Sequence, residues 1–172
     1  ITYTNLLPNK RYIVTGILMD KDAGDEAVDK DKNYIQAETT FTPEEADGEL
    51  KLTYKFDAEG FEGKTLVSFV TVNQGGDDVG LHANLEDESQ SIHFPKIQTT
   101  ALDKTTQMHE SLAEDPVTII DTVAYKNLLP GKTYTMSGTL MNKKTGEKLL
   151  DSDGNEITAT AEFTPEFADG TV

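Results

Sequence analysis

The chain has 172 residues, with 15 Lys and Arg against 31 Asp and Glu, a formal net charge of −16, and neither Cys nor Trp. Such an excess of negative charge repels phosphates at long range and argues against nucleic acid or an anionic membrane as a partner. The absence of cysteine excludes disulfides, thiolate zinc sites and thiol nucleophiles. No apolar run reaches the length needed to span a bilayer, and Ile1 opens directly into strand-like sequence with no sign of a secretory leader.

The chain repeats itself. Residues 1–50 align with residues 123–172 without a gap, with 24 identities in the 50 positions. Tyr3, Asn5, Leu6, Leu7 and Pro8 return as Tyr125, Asn127, Leu128, Leu129 and Pro130; Gly16, Leu18 and Met19 return as Gly138, Leu140 and Met141. Phe41-Thr42-Pro43-Glu44 becomes Phe163-Thr164-Pro165-Glu166, and Ala46-Asp47-Gly48 becomes Ala168-Asp169-Gly170. A period of 122 residues is too long for a solenoid unit and fits a series of whole domains. The expected organisation is a first domain over residues 1–96, lacking its opening strand, and the opening half of a second over residues 97–172.

In chain order, residues 11–18 read as a strand from their β-branched and aromatic content. The acidic stretch 20–31 reads as a solvated loop. Residues 50–56 alternate, with Leu50, Leu52, Tyr54 and Phe56 on one face and polar residues on the other, which predicts a strand. Further strands are expected at 65–72, 91–94, 117–124, 133–141 and 157–163, separated by turn residues such as Pro8-Asn9, Gly75-Gly76 and Gly154-Asn155. Many short strands with turn chemistry between them indicate antiparallel β-sandwiches.

Several polar residues stand out on these strands. Alternation puts Gln90, Ile92 and Phe94 on one face, so Gln90 points inward, where its amide needs partners. Ile97, Thr99 and Ala101 likewise share a face, so Thr99 looks into the sandwich and Thr100 away from it. Asp121 falls within Ile119-Ile120-Asp121-Thr122-Val123, in a strand where Asp is normally depleted. Each is open to a plain structural reading, as a satisfied core Gln or a packed strand Thr. Asp151, Asp153 and Asn155 offer oxygens at alternate positions, with Glu162 at the twelfth, as a calcium loop would. The sixth position is Glu156 where the loop turn requires Gly, so a hairpin turn is expected. His82, His93 and His109 form no constellation with a thiol or phosphate loop for an enzyme acting on external substrates, and His93 and His109 read as surface residues.

Taken together, Ile97-x-Thr99-Thr100-Ala101, Asp121-Thr122-Val123-x-Tyr125, Leu129-Pro130-Gly131-Lys132-x-Tyr134, Gly138-x-Leu140-Met141 and His82-x7-Gln90 ahead of Phe94-Pro95 resemble the Thr–Gln ester-bond domains of Gram-positive surface adhesins, also described as VaFE-type repeat domains. The resemblance implies tandem antiparallel β-sandwich domains of Ig-like/Cna-like type and a self-made cross-link. A threonine hydroxyl on the first strand attacks the side-chain amide of a glutamine on the last, and ammonia leaves. Carried over, Thr99 is the nucleophile (Thr100 the alternative), Gln90 the electrophile, and His82 the base that takes the threonine proton. Asp121 is an acid that polarises the amide, which needs burial to raise its pKa.

By the repeat register, Thr99 and Gln90 belong to different domains. The partner of Gln90 falls 122 positions before Thr99 and that of Thr99 falls 122 positions after Gln90, giving two half-sites and no complete one. The Val-x-Phe-Glu run of the family reads Val67-Ser68-Phe69-Val70 here, so its glutamate is replaced, with Asp57 a candidate substitute. The resemblance further implies an extracellular, cell-wall-attached stalk without cofactor or metal, whose partners are neighbouring repeats of the same protein. The motifs do not specify a host ligand. The alternatives are a plain sandwich stalk without the cross-link and a calcium-binding surface module.

Overall fold

The structure, a computed structural model, describes residues 1–113 and 116–172. It divides into two compact units, Ile1–Lys96 and Ile97–Val172. Both are built almost wholly of antiparallel strands.

In the first unit the strands are β1 (Thr2–Tyr3), β2 (Tyr12–Asp20), β3 (Gln36–Phe41), β4 (Gly48–Glu49), β5 (Thr65–Gln74), β6 (Asp77–His82) and β7 (Ser91–His93). The central strand β2 runs antiparallel between β3 and β5; β5 in turn carries β6 along one stretch and β7 along another. β1 pairs with β4 in a second, smaller sheet. Alternate residues of β2 are buried, from Tyr12 and Val14 through Gly16 and Leu18 to Asp20, as the period of a half-buried strand dictates. Leu18, Ala27, Ile35, Phe61 and Leu66 form the core cluster, with Tyr54, Phe56 and Phe94 packed against it. Phe61 meets Phe56 edge-on at 5.8 Å and Phe94 at 5.7 Å, so the end of β7 is clamped by aromatic contacts.

Two sequence expectations need correcting here. Residues 50–56 form no strand, although Leu50, Leu52, Tyr54 and Phe56 are the less exposed positions, as their alternation requires. The apolar face is satisfied by packing, and a strand also needs a hydrogen-bonding neighbour. Nor are residues 20–31 a simple solvated loop. Met19 bridges Glu26, Val28 bridges Tyr34, and Ala27 is buried. Asp20 lies on the inward register of β2, and Lys64 Nζ meets its carboxylate at 2.7 Å. The strands β3 and β6 are also present, beyond those the sequence pattern singled out.

The second unit contains β8 (Lys96–Asp103), β9 (Ile119–Lys126), β10 (Tyr134–Thr139), β11 (Thr158–Phe163) and β12 (Gly170–Thr171). β9 lies between β12 and β8, and β10 pairs with β11. Through the repeat, β9 to β12 match β1 to β4, and the copied residues make copied contacts. Tyr3 packs at a tilt against Phe41 with ring centroids 5.2 Å apart, and Tyr125 against Phe163 at 5.3 Å. The Leu7 N–H donates to the Tyr12 hydroxyl at 2.8 Å, and the Leu129 N–H to that of Tyr134 at 2.9 Å. Asn5 and Asn127 adopt left-handed backbone and donate their N–H to Asp47 and Asp169, respectively. A Cβ at Gly48 or Gly170 would come within 2.5 Å of the hydroxyl of Tyr3 or Tyr125.

The units differ in what covers these shared elements. β5, beside β2, has no counterpart beside β10 among the described residues, and β8, beside β9, has none beside β1. Accordingly Ile97, Ile119, Ile120, Leu150 and Ile157 stay exposed in the second unit.

Candidate functional site

The end of β5 and the segment after β6 bring one group of residues together. His82, the last residue of β6, sits opposite Val70 of β5 in the ladder. The chain then turns through Asn84 to Asp87 and makes one 3-10 turn, Glu88–Gln90, before entering β7. Asp87 caps this turn. Its Oδ1 accepts from the Ser89 N–H at 2.9 Å and the Ser89 hydroxyl at 2.7 Å, while Oδ2 lies 2.8 Å from His82 Nε2. These contacts, the Ser89 hydroxyl foremost and then the Ser89 N–H and His82, hold the Asp87 carboxyl below the usual carboxylate range.

Gln90 borders two cavities. One, of about 570 Å³, also touches Leu18, Tyr54, Val70, Ile92 and Phe94. Gln90 closes the turn ahead of β7 and is half-buried, whereas Ile92 of β7 is exposed, so the inward strand face expected for Gln90, Ile92 and Phe94 is not formed as such. The other, of about 310 Å³, lies along Ile1–Thr4 on one side and Val79–His82 on the other, with Gln90 at its wall. Val70 reaches both and is itself buried. Neither wall carries an Asp or Glu side chain. Asp57 is not among the lining residues; it is paired to Lys30 at 2.6 Å and does not stand in for a carboxylate at position 70.

The second group lies in the other unit. Thr99 of β8 and Asp121 of β9 line one trough of about 510 Å³, together with Ile97, Val123, Met136 and Gly138; Thr100 is not among the lining residues. Both Thr99 and Asp121 are exposed. The burial expected for Asp121 is therefore lacking in this unit, because the trough is open. The contrast with the first unit is direct. A Cβ at Gly16 would run into Tyr54 and Leu52, whereas a Cβ at Gly138 meets nothing within 4 Å.

Asp151 serves a turn. Its Oδ1 accepts from the N–H groups of Asp153 and Asn155 at 2.9 and 2.8 Å, as Asp29 does from Asp31 and Asn33 in the first unit. His93 is no idle surface residue. Its Nδ1 lies 3.0 Å from the buried Thr65 hydroxyl and its Nε2 3.1 Å from Glu88, whose other oxygen meets Lys21 at 2.9 Å. Thr65 and His93 are 28 residues apart, so only the pairing of β5 with β7 unites them. The alternation of residues 90–94 places His93 on the outward face, so no sequence signal points to this contact.

Comparison with known proteins fits this division. A family model described as T-Q ester bond containing domain matches the chain twice, over residues 1–94 and 95–172. The chain belongs to the T-Q ester bond domain family. Its T-Q domains are thus structural, cross-linked modules, tandem and β-sandwich in architecture. No curated protein matches the chain.

Proposed function

We propose that these T-Q domains are stalk modules of a wall-attached Gram-positive surface adhesin, each closed by an ester made in a single intramolecular event, so that the protein is not an enzyme. One observation carries the reading of the chemistry. In the second unit β8, with Thr99, flanks β9. The matching flank of β1 in the first unit is the cavity bordered by Gln90 and His82. A β8-type strand laid beside β1 would therefore bring a threonine hydroxyl to a glutamine amide and a histidine base, and its own neighbour would bring the Asp121-type acid. Thr99 and Gln90 serve different modules.

The reaction balances within these groups. The threonine Oγ bonds to the glutamine Cδ as its proton passes to His82, and the acid hydrogen-bonds the carbonyl oxygen where negative charge builds. The C–N bond then breaks, the leaving nitrogen takes the proton from the imidazolium, and ammonia departs. The ester closes a loop of about 110 residues, which by the chain-entropy model contributes about 4–5 kcal/mol. In a stalk without cysteine it takes the place of a disulfide.

The test is the mass of the full chain under denaturing conditions, alone and after incubation with a peptide of the β8 sequence, residues 96–103. The expected product is a covalent adduct lighter by one ammonia than its two parts, absent for Gln90→Ala and for a peptide carrying Thr99→Ala. If no adduct forms with the peptide or between copies of the chain, the cross-link reading fails and a plain sandwich stalk remains.

A further inference from the structure

The cavity of about 570 Å³ beside Gln90 has no carboxyl group on its wall, but it has hydroxyls. The Ser89 hydroxyl is committed to Asp87 at 2.7 Å, and Lys51 and Thr53 fall on exposed positions of the 50–56 segment. There remain Ser68 and Tyr54, whose hydroxyl oxygens lie 2.8 Å apart. Two hydroxyls have two protons and their mutual contact uses one, so one O–H stays unspent. Among the described residues neither oxygen has a further partner.

The strand register indicates which O–H that is. β5 meets β7 through Leu66 with Ile92 and Val67 with Ser91, and one step beyond this ladder brings Gln90, the last residue of the turn, against Ser68. Leu66, Ser68 and Val70 alternate along β5 and all face the cavity that Gln90 borders. Tyr54 comes to Ser68 from the other side, with its hydroxyl over Gly16. Burial holds the Tyr54 phenol above its usual value against the opposing hydrogen bond with Ser68, so it stays protonated at neutral pH. A phenol O–H given to Ser68 Oγ polarises that hydroxyl and strengthens the hydrogen bond it can make in turn.

We propose that Ser68 is the oxyanion donor of the first unit, with its O–H aimed at the Gln90 amide oxygen by Tyr54 as a positioning residue. This rests on the cross-link reading above. Ser68 lends a hydrogen bond and transfers no proton. As the threonine Oγ bonds to the glutamine Cδ, the carbonyl electron pair moves onto the oxygen and the Ser68 O–H shares that charge; the pair returns when the C–N bond breaks. Ser68 thus acts from the sheet side, and the Asp121-type acid from the side of the incoming strands.

The experiment measures, in the full chain, the rate of adduct formation at saturating 96–103 peptide, beside the dissociation constant of the unreactive Thr99→Ala peptide. Ser68→Ala is expected to slow the saturating rate by roughly 10²-fold, and Tyr54→Phe, which leaves the serine hydroxyl unaimed, by about tenfold. Neither changes the dissociation constant by more than about twofold, because the donor acts on charge that exists only once the bond is forming. Ser68→Thr, which keeps a hydroxyl on a side chain suited to a strand, recovers most of the rate. A Ser68→Ala protein that reacts at the wild-type rate overturns the inference, as does one whose loss lies wholly in peptide binding. So does a Ser68→Thr protein as slow as Ser68→Ala, or a Tyr54→Phe protein as fast as the wild type. Failure of the wild type to form any adduct overturns the cross-link reading and this inference with it.

Discussion

The hydroxyl of Tyr54 stands so close over Gly16 that a Cβ at that position would overlap it and the Leu52 side chain as well. Tyr54 is held there by a 2.8 Å hydrogen bond with Ser68 of β5. The glycine is thus a site of close approach between β2 and the 50–56 segment, and it recurs as Gly138, where no such segment lies against the strand.

This pair gives a two-sided prediction. Gly16→Ala forces Tyr54 and Leu52 aside and costs about 1–3 kcal/mol by overpacking. Gly138→Ala in the same chain is close to neutral. Denaturant unfolding of the two variants, followed by a probe in each unit, checks the difference; equal effects would mean that Gly138 is also covered in solution.

The second prediction concerns acid. Burial alone raises the Asp20 carboxyl, but the hydrogen bond from Lys64, the N–H groups of Ala23 and Asp22 and the Lys64 charge outweigh it, and Asp20 titrates below the usual 3.8. A carboxylate whose pKa is lower when folded contributes stability that is complete above its unfolded value and is lost as pH falls through the folded one. The first unit is therefore expected to hold its stability from neutrality down to ~4 and to lose this contribution only below that. Asp20→Asn, the residue found at the counterpart Asn142, keeps an acceptor for the turn and loses the ion pair. It lowers stability at neutral pH by about 1 kcal/mol, since Lys64 remains partly solvated, and flattens this part of the acid limb in urea titrations.

A third prediction addresses the segment that carries Gln90. Lys21 Nζ reaches Glu88 at 2.9 Å and Glu86 at 3.3 Å, so part of what holds this segment is ionic. Such exposed pairs contribute about 0.2–1 kcal/mol. Lys21→Gln is expected to speed amide exchange at Ser89 and Gln90 by roughly two- to fivefold with little change in global melting. Raising salt in the wild type produces the same local effect, and a uniform loss of protection across β5 would contradict it.

The fourth concerns Val70. It is buried beside Gln90 and opposite His82, where the VaFE pattern has a glutamate. Val70→Glu introduces a carboxyl into an apolar wall, lowering the melting temperature of the free chain. It is expected to accelerate adduct formation with the 96–103 peptide by roughly 10²-fold. An unchanged rate would mean that the acid arriving beside the threonine strand suffices.

What the sequence made legible was what acts locally or is copied. The Tyr3–Phe41 ring contact, the Tyr12 hydroxyl under Leu7 and the Asn5–Asp47 bond all lie within the repeated motifs, and each recurs in the second unit. What stayed hidden depends on which strand lies next to which. Residues 50–56 alternate correctly, yet only Leu50 exchanges backbone hydrogen bonds with a neighbour, Ile1; Asp20 is paired to a lysine 44 residues away, and Thr65 meets His93 only because β7 docks on β5. Asp121 illustrates the limit from the other side. Its place in a strand is readable, whereas its burial depends on residues that must close over the trough.

β7 ends at His93 and β8 begins at Lys96. With the proposed esters in place, tension would enter one module at its threonine and leave at its glutamine, crossing the bond itself. The only backbone left in the line of force would be the nine steps from Gln90 to Thr99 in each period of 122. Fully drawn out, nine residues span roughly 30 Å. A series of such modules would behave under load as an almost inextensible cord, its β-sheets slack and protected, with its whole give confined to short junctions around Pro95.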